Sequence, residues 1–154
     1  MRHCFVQFLE PQAVGATFAK SEWPLHCTLA GVFSWQWSDK AEADLRQLAD
    51  TNVRFESHSR DLDHFGKREV RLIEKIDELT RLHNELIALI KSHGGTFDLP
   101  HFLHDKFTPH VTTQRHAALH SDSPVNFNQL SLVDLMPDGN RLQRQVVTQF
   151  PFGD

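Results

Sequence analysis

The sequence predicts an α+β protein, and three observations carry that prediction. Short runs with strand-like alternation recur from residue 3 to residue 150. Helical stretches interrupt them without the regular strand–helix rhythm of a parallel α/β sheet. The last two strand-like runs flank Asp138-Gly139-Asn140, a turn that joins antiparallel neighbours. At 154 residues the chain is long enough for one domain with its own core.

The elements follow in order. Residues 3–9 read as a strand closed by Glu10-Pro11. A second strand runs over 26–33, with His26, Thr28 and Ala30 on one face and Cys27, Leu29 and Gly31 on the other. Ser38 or Asp39 caps a helix that reaches about residue 50, with an apolar stripe of Ala41, Leu45, Leu48 and Ala49. Residues 53–63 and 69–74 read as strands around a turn at Phe65-Gly66-Lys67. The strongest helix spans 77–92, where Leu79, Leu82, Leu86, Leu89 and Ile90 share one broad face and Gly94-Gly95 ends the run. His83 lies near that stripe, which predicts a packing role. Pro109 fixes the start of a strand within 107–113, and residues 125–135 and 142–150 read as two more.

Composition narrows the function. A formal charge of −4 disfavours a protein that holds long duplex DNA by a broad basic surface, but leaves room for a short RNA end or a small phosphodiester. Two cysteines, outside any C-x-x-C pair, form no disulfide framework and point to a reducing, cytoplasmic setting. No run approaches the roughly 18–20 apolar residues that a membrane span requires, and residues 1–6 do not read as a secretion signal. A monomer without cofactor is expected.

The feature with chemistry in it is a repeated His-x-Thr. Residues i and i+2 of a strand point the same way about 6–7 Å apart, so each copy sets an imidazole beside a hydroxyl. His26 with Thr28 and His110 with Thr112 lie 84 positions apart in separate strands. Two imidazoles and two hydroxyls suffice for in-line attack on a phosphate ester: one neutral ring takes a proton, one protonated ring donates it, and hydroxyls hold the non-bridging oxygens. Unrelated structural histidines and a metal site stay open as alternatives on spacing alone.

Leu25-His26-Cys27-Thr28-Leu29 and Phe107-Thr108-Pro109-His110-Val111-Thr112 resemble the two signature motifs of the 2H phosphoesterase superfamily. The chain is most similar to its bacterial RNA 2',3'-cyclic phosphodiesterase branch, also called 2'-5' RNA ligases. The Phe65-Gly66 turn and the Leu82-His83 pair extend the resemblance along the chain. It implies one domain over residues 1–154, built as two pseudo-symmetric lobes with antiparallel sheets lining a central cleft and helices outside. It implies that His26 protonates the leaving oxygen, that His110 activates water, and that Thr28 and Thr112 bind phosphate. The implied product is a 2'-phosphomonoester. The second motif departs from the family pattern, continuing as Thr113-Gln114-Arg115, which leaves other small diesters in play, such as 2'-5' oligonucleotides or a cyclic phosphate of ADP-ribose. A nucleotide- or RNA-binding module without turnover is the reading from a different class.

Further candidates surround the motifs. Arg115 and Lys106 are expected to place positive charge near the phosphate. Trp23, Phe33, Trp35 and Trp37 flank the first motif, and of these Phe33 and Trp35 are the candidates for substrate stacking. His101, His104, His116 and His120 invite a metal test, but His101-x-x-His104 lacks a zinc-protease context, and a metal is not expected.

Overall fold

β1 (Arg2–Phe8) buries six of its seven residues, because it lies inside the sheet between β3 (His26–Ser34) and β9 (Gln129–Asp134) and is covered on both faces. The computed structural model describes residues 1–153. Its remaining elements are β2 (Thr17–Ala19), α1 (Asp39–Thr51), β4 (Phe55–Phe65), β5 (Arg68–Ile73), α2 (Asp77–Ser92), β6 (Thr96–Phe97), β7 (His110–Thr112), β8 (Pro124–Phe127) and β10 (Gln143–Pro151). The strands form one antiparallel sheet in the order β2-β10-β9-β1-β3-β7-β5-β4-β8, with β6 beside the end of β3. The architecture is α+β, as the sequence predicts.

Both helices cover the same face of this sheet. Ala41, Leu45 and Ala49 of α1, and Leu79, Leu82, Leu86, Ile87 and Ile90 of α2, enter one core with Phe5, Cys27, Leu29 and Val111. The Ser38 side chain accepts from the Ala41 N–H and caps α1. α2 ends at Ser92, and Gly94 two residues on turns the chain away with a φ of +76° that suits glycine. Gly95 follows so close to Ile90 that a Cβ there would lie 2.4 Å from its Cγ2.

The opposite face carries a smaller apolar cluster: Cys4, Val6 and Phe8 with Val133, Leu135 and Val146. No helix among the described residues is long and apolar enough to cross a membrane.

Two buried polar side chains hold the halves of the sheet together. Gln7 accepts from the backbone N–H groups of Asn128 (2.8 Å) and Gln129 (3.2 Å) and donates to the Asn128 side chain. That clamp sits where the chain leaves β8, which pairs with β4, and enters β9, which pairs with β1 and β10. Residues 125–135 are therefore two strands in different halves of the sheet and not one. His83 is buried in α2. Its Nδ1–H donates to the Leu29 carbonyl (2.7 Å), its Nε2 accepts from the His104 N–H (3.1 Å), and its ring stacks on Phe107 at 4.0 Å. It ties α2 to β3 and to the segment that leads into β7.

Other differences from the sequence reading are local. Only His110–Thr112 of residues 107–113 pairs as a strand, and β2 and β6 are short additions too brief to show periodicity. The final turn is a 3-10 turn, Pro137–Gly139, with Asp138 at φ 53°.

Gln7→Ala is expected to leave two backbone donors at the β8–β9 crossing without their acceptor. The loss, read from urea denaturation, is about 1–3 kcal/mol; an unchanged midpoint would show that the clamp does not hold the crossing.

Candidate active site

The edge strands of the two half-sheets, β3 and β7, meet through a single residue pair, Cys27 opposite Val111. Both side chains point into the helix-covered core and are essentially buried. Alternation then sends the residues on either side of each to the open face. In an antiparallel pair this register sets His26 opposite Thr112 and Thr28 opposite His110, so the two histidines sit on the diagonal of a four-residue square. Diagonal neighbours of this kind lie roughly 7–8 Å apart, close enough for one phosphate between two imidazoles.

Neighbouring strands extend the square into two rungs. Phe8 of β1 lies opposite His26, and Val70 of β5 lies opposite Thr112. Val6 lies opposite Thr28, and Leu72 opposite His110. The polar square is thus set between apolar strips.

Each histidine is oriented in the same way. His26 Nδ1 lies 2.9 Å from the Pro24 carbonyl, and His110 Nδ1 lies 2.8 Å from the Thr108 carbonyl, both two residues upstream. A carbonyl only accepts, so Nδ1 carries the hydrogen in both rings and Nε2 is left for chemistry. Neutral, that Nε2 is a base; protonated, it is an acid.

Burial sets their resting charge. His26 lies 4.2 Å from the Trp23 ring and 6.2 Å from Phe8, centroid to centroid. Burial pushes its pKa down to about 4, against a smaller opposing effect of the Pro24 carbonyl; a charged His110 would lower it further. Burial also lowers the His110 pKa, the Thr108 carbonyl opposes that, and the Arg68 guanidinium adds to it. Both rings are neutral at neutral pH in the free protein, and neither favours charge on the other.

The candidate residues separate clearly. His26, Thr28, His110 and Thr112 come together on one face. Phe33 and Trp35 do not join them. They are buried in the helix-side core, where Phe33 stacks on Phe5 (5.6 Å) and Trp35 donates from Nε1 to His3 Nδ1 (3.1 Å). The expectation that they stack on substrate is corrected. Alternation sets Phe33 and Trp35 on the face of Cys27, opposite His26, and the helices cover that face. Lys106 and Arg115 are exposed, in a 3-10 turn before β7 and a bend after it. The cation felt by His110 is instead Arg68, the first residue of β5. Phe65, directly opposite Arg68 in the β4–β5 hairpin, brings its ring to 4.8 Å from His110. The turn was legible in the sequence; the proximity of these two residues to His110 depends on strand order.

Among the described residues, no three His, Cys, Asp or Glu side chains converge as ligands of a metal would. His104 is engaged with Asn84 through Nδ1 (2.8 Å). An open hollow of about 540 Å³ adjoins Thr108 and Pro109, but Arg60 pairs with Glu74 beside it and Lys75 donates to the Asp105 carbonyl.

Residues 10–124, which contain both His-x-Thr strands, match the family model of the 2'-5' RNA ligase superfamily. The chain belongs to this superfamily of 2H phosphoesterases. Its fold is similar to that of TT0787 of Thermus thermophilus, with a TM-score of 0.59, 18% identity and full coverage of both chains. A solved phosphoesterase also gives 0.59, at 17% identity, over 99% of this chain and 98% of the other. E. coli LigT in complex with NADP+ gives 0.57, at 17% identity, over the same shares. No curated protein matches the chain. Membership of the 2H superfamily supports phosphodiesterase-type activity for this enzyme fold.

Between about 6.5 and 4 the unfolded chain binds protons that folded His26 does not, so its contribution to stability falls as pH falls through that window. In the ligand-free protein the His26 ring resonances are expected to titrate with a midpoint near pH 4; a midpoint at about 6.5 would show that the ring is solvated.

Proposed function

We propose that this site hydrolyses 2',3'-cyclic phosphate ends of RNA or of nucleotides, opening the ring to a 2'-phosphomonoester. The observation that carries the reading is the Cys27–Val111 pairing, which sets both histidines and both threonines on one open face. A phosphodiester with its single negative charge fits a pair of neutral imidazoles. Its charge offsets the cost of protonating one ring, while repulsion between the rings keeps the second neutral. The empty pair therefore takes up one proton as the substrate binds.

The steps follow from the Nε2 atoms. Neutral His110 accepts a proton from water through Nε2, and the water oxygen attacks phosphorus. Protonated His26 donates from Nε2 to the departing 3' oxygen, and the bond between that oxygen and phosphorus breaks. Phosphorus stays bonded to the 2' oxygen, so the product is the 2'-phosphomonoester. Thr28 and Thr112 donate hydroxyl hydrogen bonds to the non-bridging oxygens, whose charge grows in the transition state. Arg68 adds positive charge beside His110, with Lys106 and Arg115 as further cations on the flanking segments.

Exchange of the two roles gives the reverse step, in which His26 takes the proton of the 3' hydroxyl as it attacks phosphorus and His110 protonates the departing water. Water is in great excess, so hydrolysis dominates. The net charge of −4 limits contact to the terminal nucleotides of a strand.

The test is turnover of 2',3'-cyclic AMP with EDTA present, with product identity read by phosphorus NMR. His26→Ala and His110→Ala are each expected to lower kcat roughly 10²- to 10⁴-fold. Thr28→Val and Thr112→Val are expected to cost about 10²-fold. Near-wild-type turnover in both histidine variants would overturn the mechanism.

A further inference from the structure

The two catalytic halves are alike in plan and unlike in detail. Each histidine has an aromatic neighbour and an arginine beyond it: Trp23 with Arg144 beside His26, Phe65 with Arg68 beside His110. The difference lies in what the aromatic rings have left to offer.

Trp23 is engaged on several sides. It packs 4.2 Å from His26 at an interplanar angle of 30°, 5.0 Å from Phe18, and 5.8 Å from the Arg144 guanidinium. It forms part of the packed wall with Phe8 and Val6. Its role is to desolvate His26.

Phe65 is placed differently. It ends β4 at the tip of a two-residue hairpin in which Gly66 takes φ +64°. Its ring and that of His110 meet in a T, at 80° and 4.8 Å, and the residue remains 38% exposed. In the sheet, β4 is two strands away from β7. Side chains standing upright on a flat sheet at that separation would be roughly 10 Å apart, so the tip leans over the open face. An aromatic ring left partly exposed there is a cost in water. It is also an apolar surface at the rim of the phosphate site, flanked by the exposed cations Lys67 in the turn and Arg68 at the start of β5.

We propose that Phe65 is the platform on which the base of the substrate nucleotide stacks, making the β4–β5 hairpin tip the element that selects nucleotide phosphodiesters over those without a base. The proposal rests on the reading that His26 and His110 hold a nucleotide phosphate. It adds a specificity-determining residue to it. Every base has a π-face, so stacking of this kind tolerates any base and favours purines through their larger area. Phe33 and Trp35 cannot serve, because the helices cover them, and Trp23 cannot because its neighbours occupy it.

The test compares a substrate with a base to one without. Phe65→Ala, Phe65→Trp and the wild type are assayed on 2',3'-cyclic AMP and on glycerol 1,2-cyclic phosphate. Binding of 2'-AMP and of glycerol 2-phosphate is measured in parallel by calorimetry. Phe65→Ala is expected to lower the preference for 2',3'-cyclic AMP, as a ratio of kcat/KM values, roughly 10-fold or more, mainly through KM, within the roughly 5- to 150-fold span of base stacking. Phe65→Trp restores the preference, and 2'-AMP binding weakens in step while glycerol 2-phosphate binding does not follow. Equal losses on both substrates would overturn the proposal, since Phe65 would then act only by packing on His110. Unchanged 2'-AMP affinity in Phe65→Ala would overturn it as well. If the wild type turns over neither substrate yet binds 2'-AMP in a Phe65-dependent way, the platform stands and the hydrolytic reading fails.

Discussion

The site depends on one pair of side chains that take no part in its chemistry. Cys27 and Val111 are the only residues paired between β3 and β7, and both are drawn into the core beneath the helices. Their burial turns His26, Thr28, His110 and Thr112 outward together. A slip of one residue in either strand would send its imidazole into the apolar core and its core residue into water. A three-residue strand cannot secure such a register alone, and its neighbours help. The Ile73 N–H donates to the Pro109 carbonyl and the Thr113 N–H to the Glu69 carbonyl, each at 3.0 Å, while the Thr113 hydroxyl reaches the Glu69 carboxylate at 2.9 Å. From the core side, Phe107 stacks on His83, which is bonded to β3 through Leu29. The two motifs are thus connected through a shared helix as well as through the sheet.

The same geometry prepares the electrostatics. Two carbonyls, each two residues upstream, fix the same tautomer in both rings, and burial keeps both uncharged. Neutral imidazoles accept an anion without a standing repulsion between two cations, and the anion then makes protonation of one ring favourable. On the proposed function, this gives an acidic chain a way to bind a phosphate: local neutrality, an arginine at the rim and hydroxyl donors stand in for a broad basic surface. The near equivalence of the halves ends at their walls. Trp23 closes the His26 side by packing, whereas the hairpin leaves the His110 side with an open aromatic ring and exposed cationic side chains at its tip.

Much of this was legible from local pattern. The 3–4 spacing of leucines marked α2 at its observed limits, and the alternation of residues 26–30 placed His26 and Thr28 on one face. What local pattern could not show was set by distant partners. The break at Asn128 is held by Gln7, 121 positions away, so residues 125–135 looked like one strand. Phe33 and Trp35 follow the histidine motif in sequence, but they are even steps from Cys27, so alternation sets them on its face, and that face is the helix-covered core. Arg68 and Phe65 sit close to His110 because of strand order and the lean of a hairpin, which no spacing encodes. Lys106 and Arg115 are the cations nearest in sequence to the second motif, so spacing points to them and does not reach Arg68.

In the proposed mechanism His26 and His110 act on one phosphorus from opposite sides. Its most direct test is the stereochemistry of ring opening, using a single diastereomer of a nucleoside 2',3'-cyclic phosphorothioate in oxygen-18 water. Attack by water activated at one histidine, in line with a leaving oxygen protonated by the other, predicts inversion at phosphorus. Retention would require an intermediate formed on a protein group and would rule out direct attack by water between the two histidines.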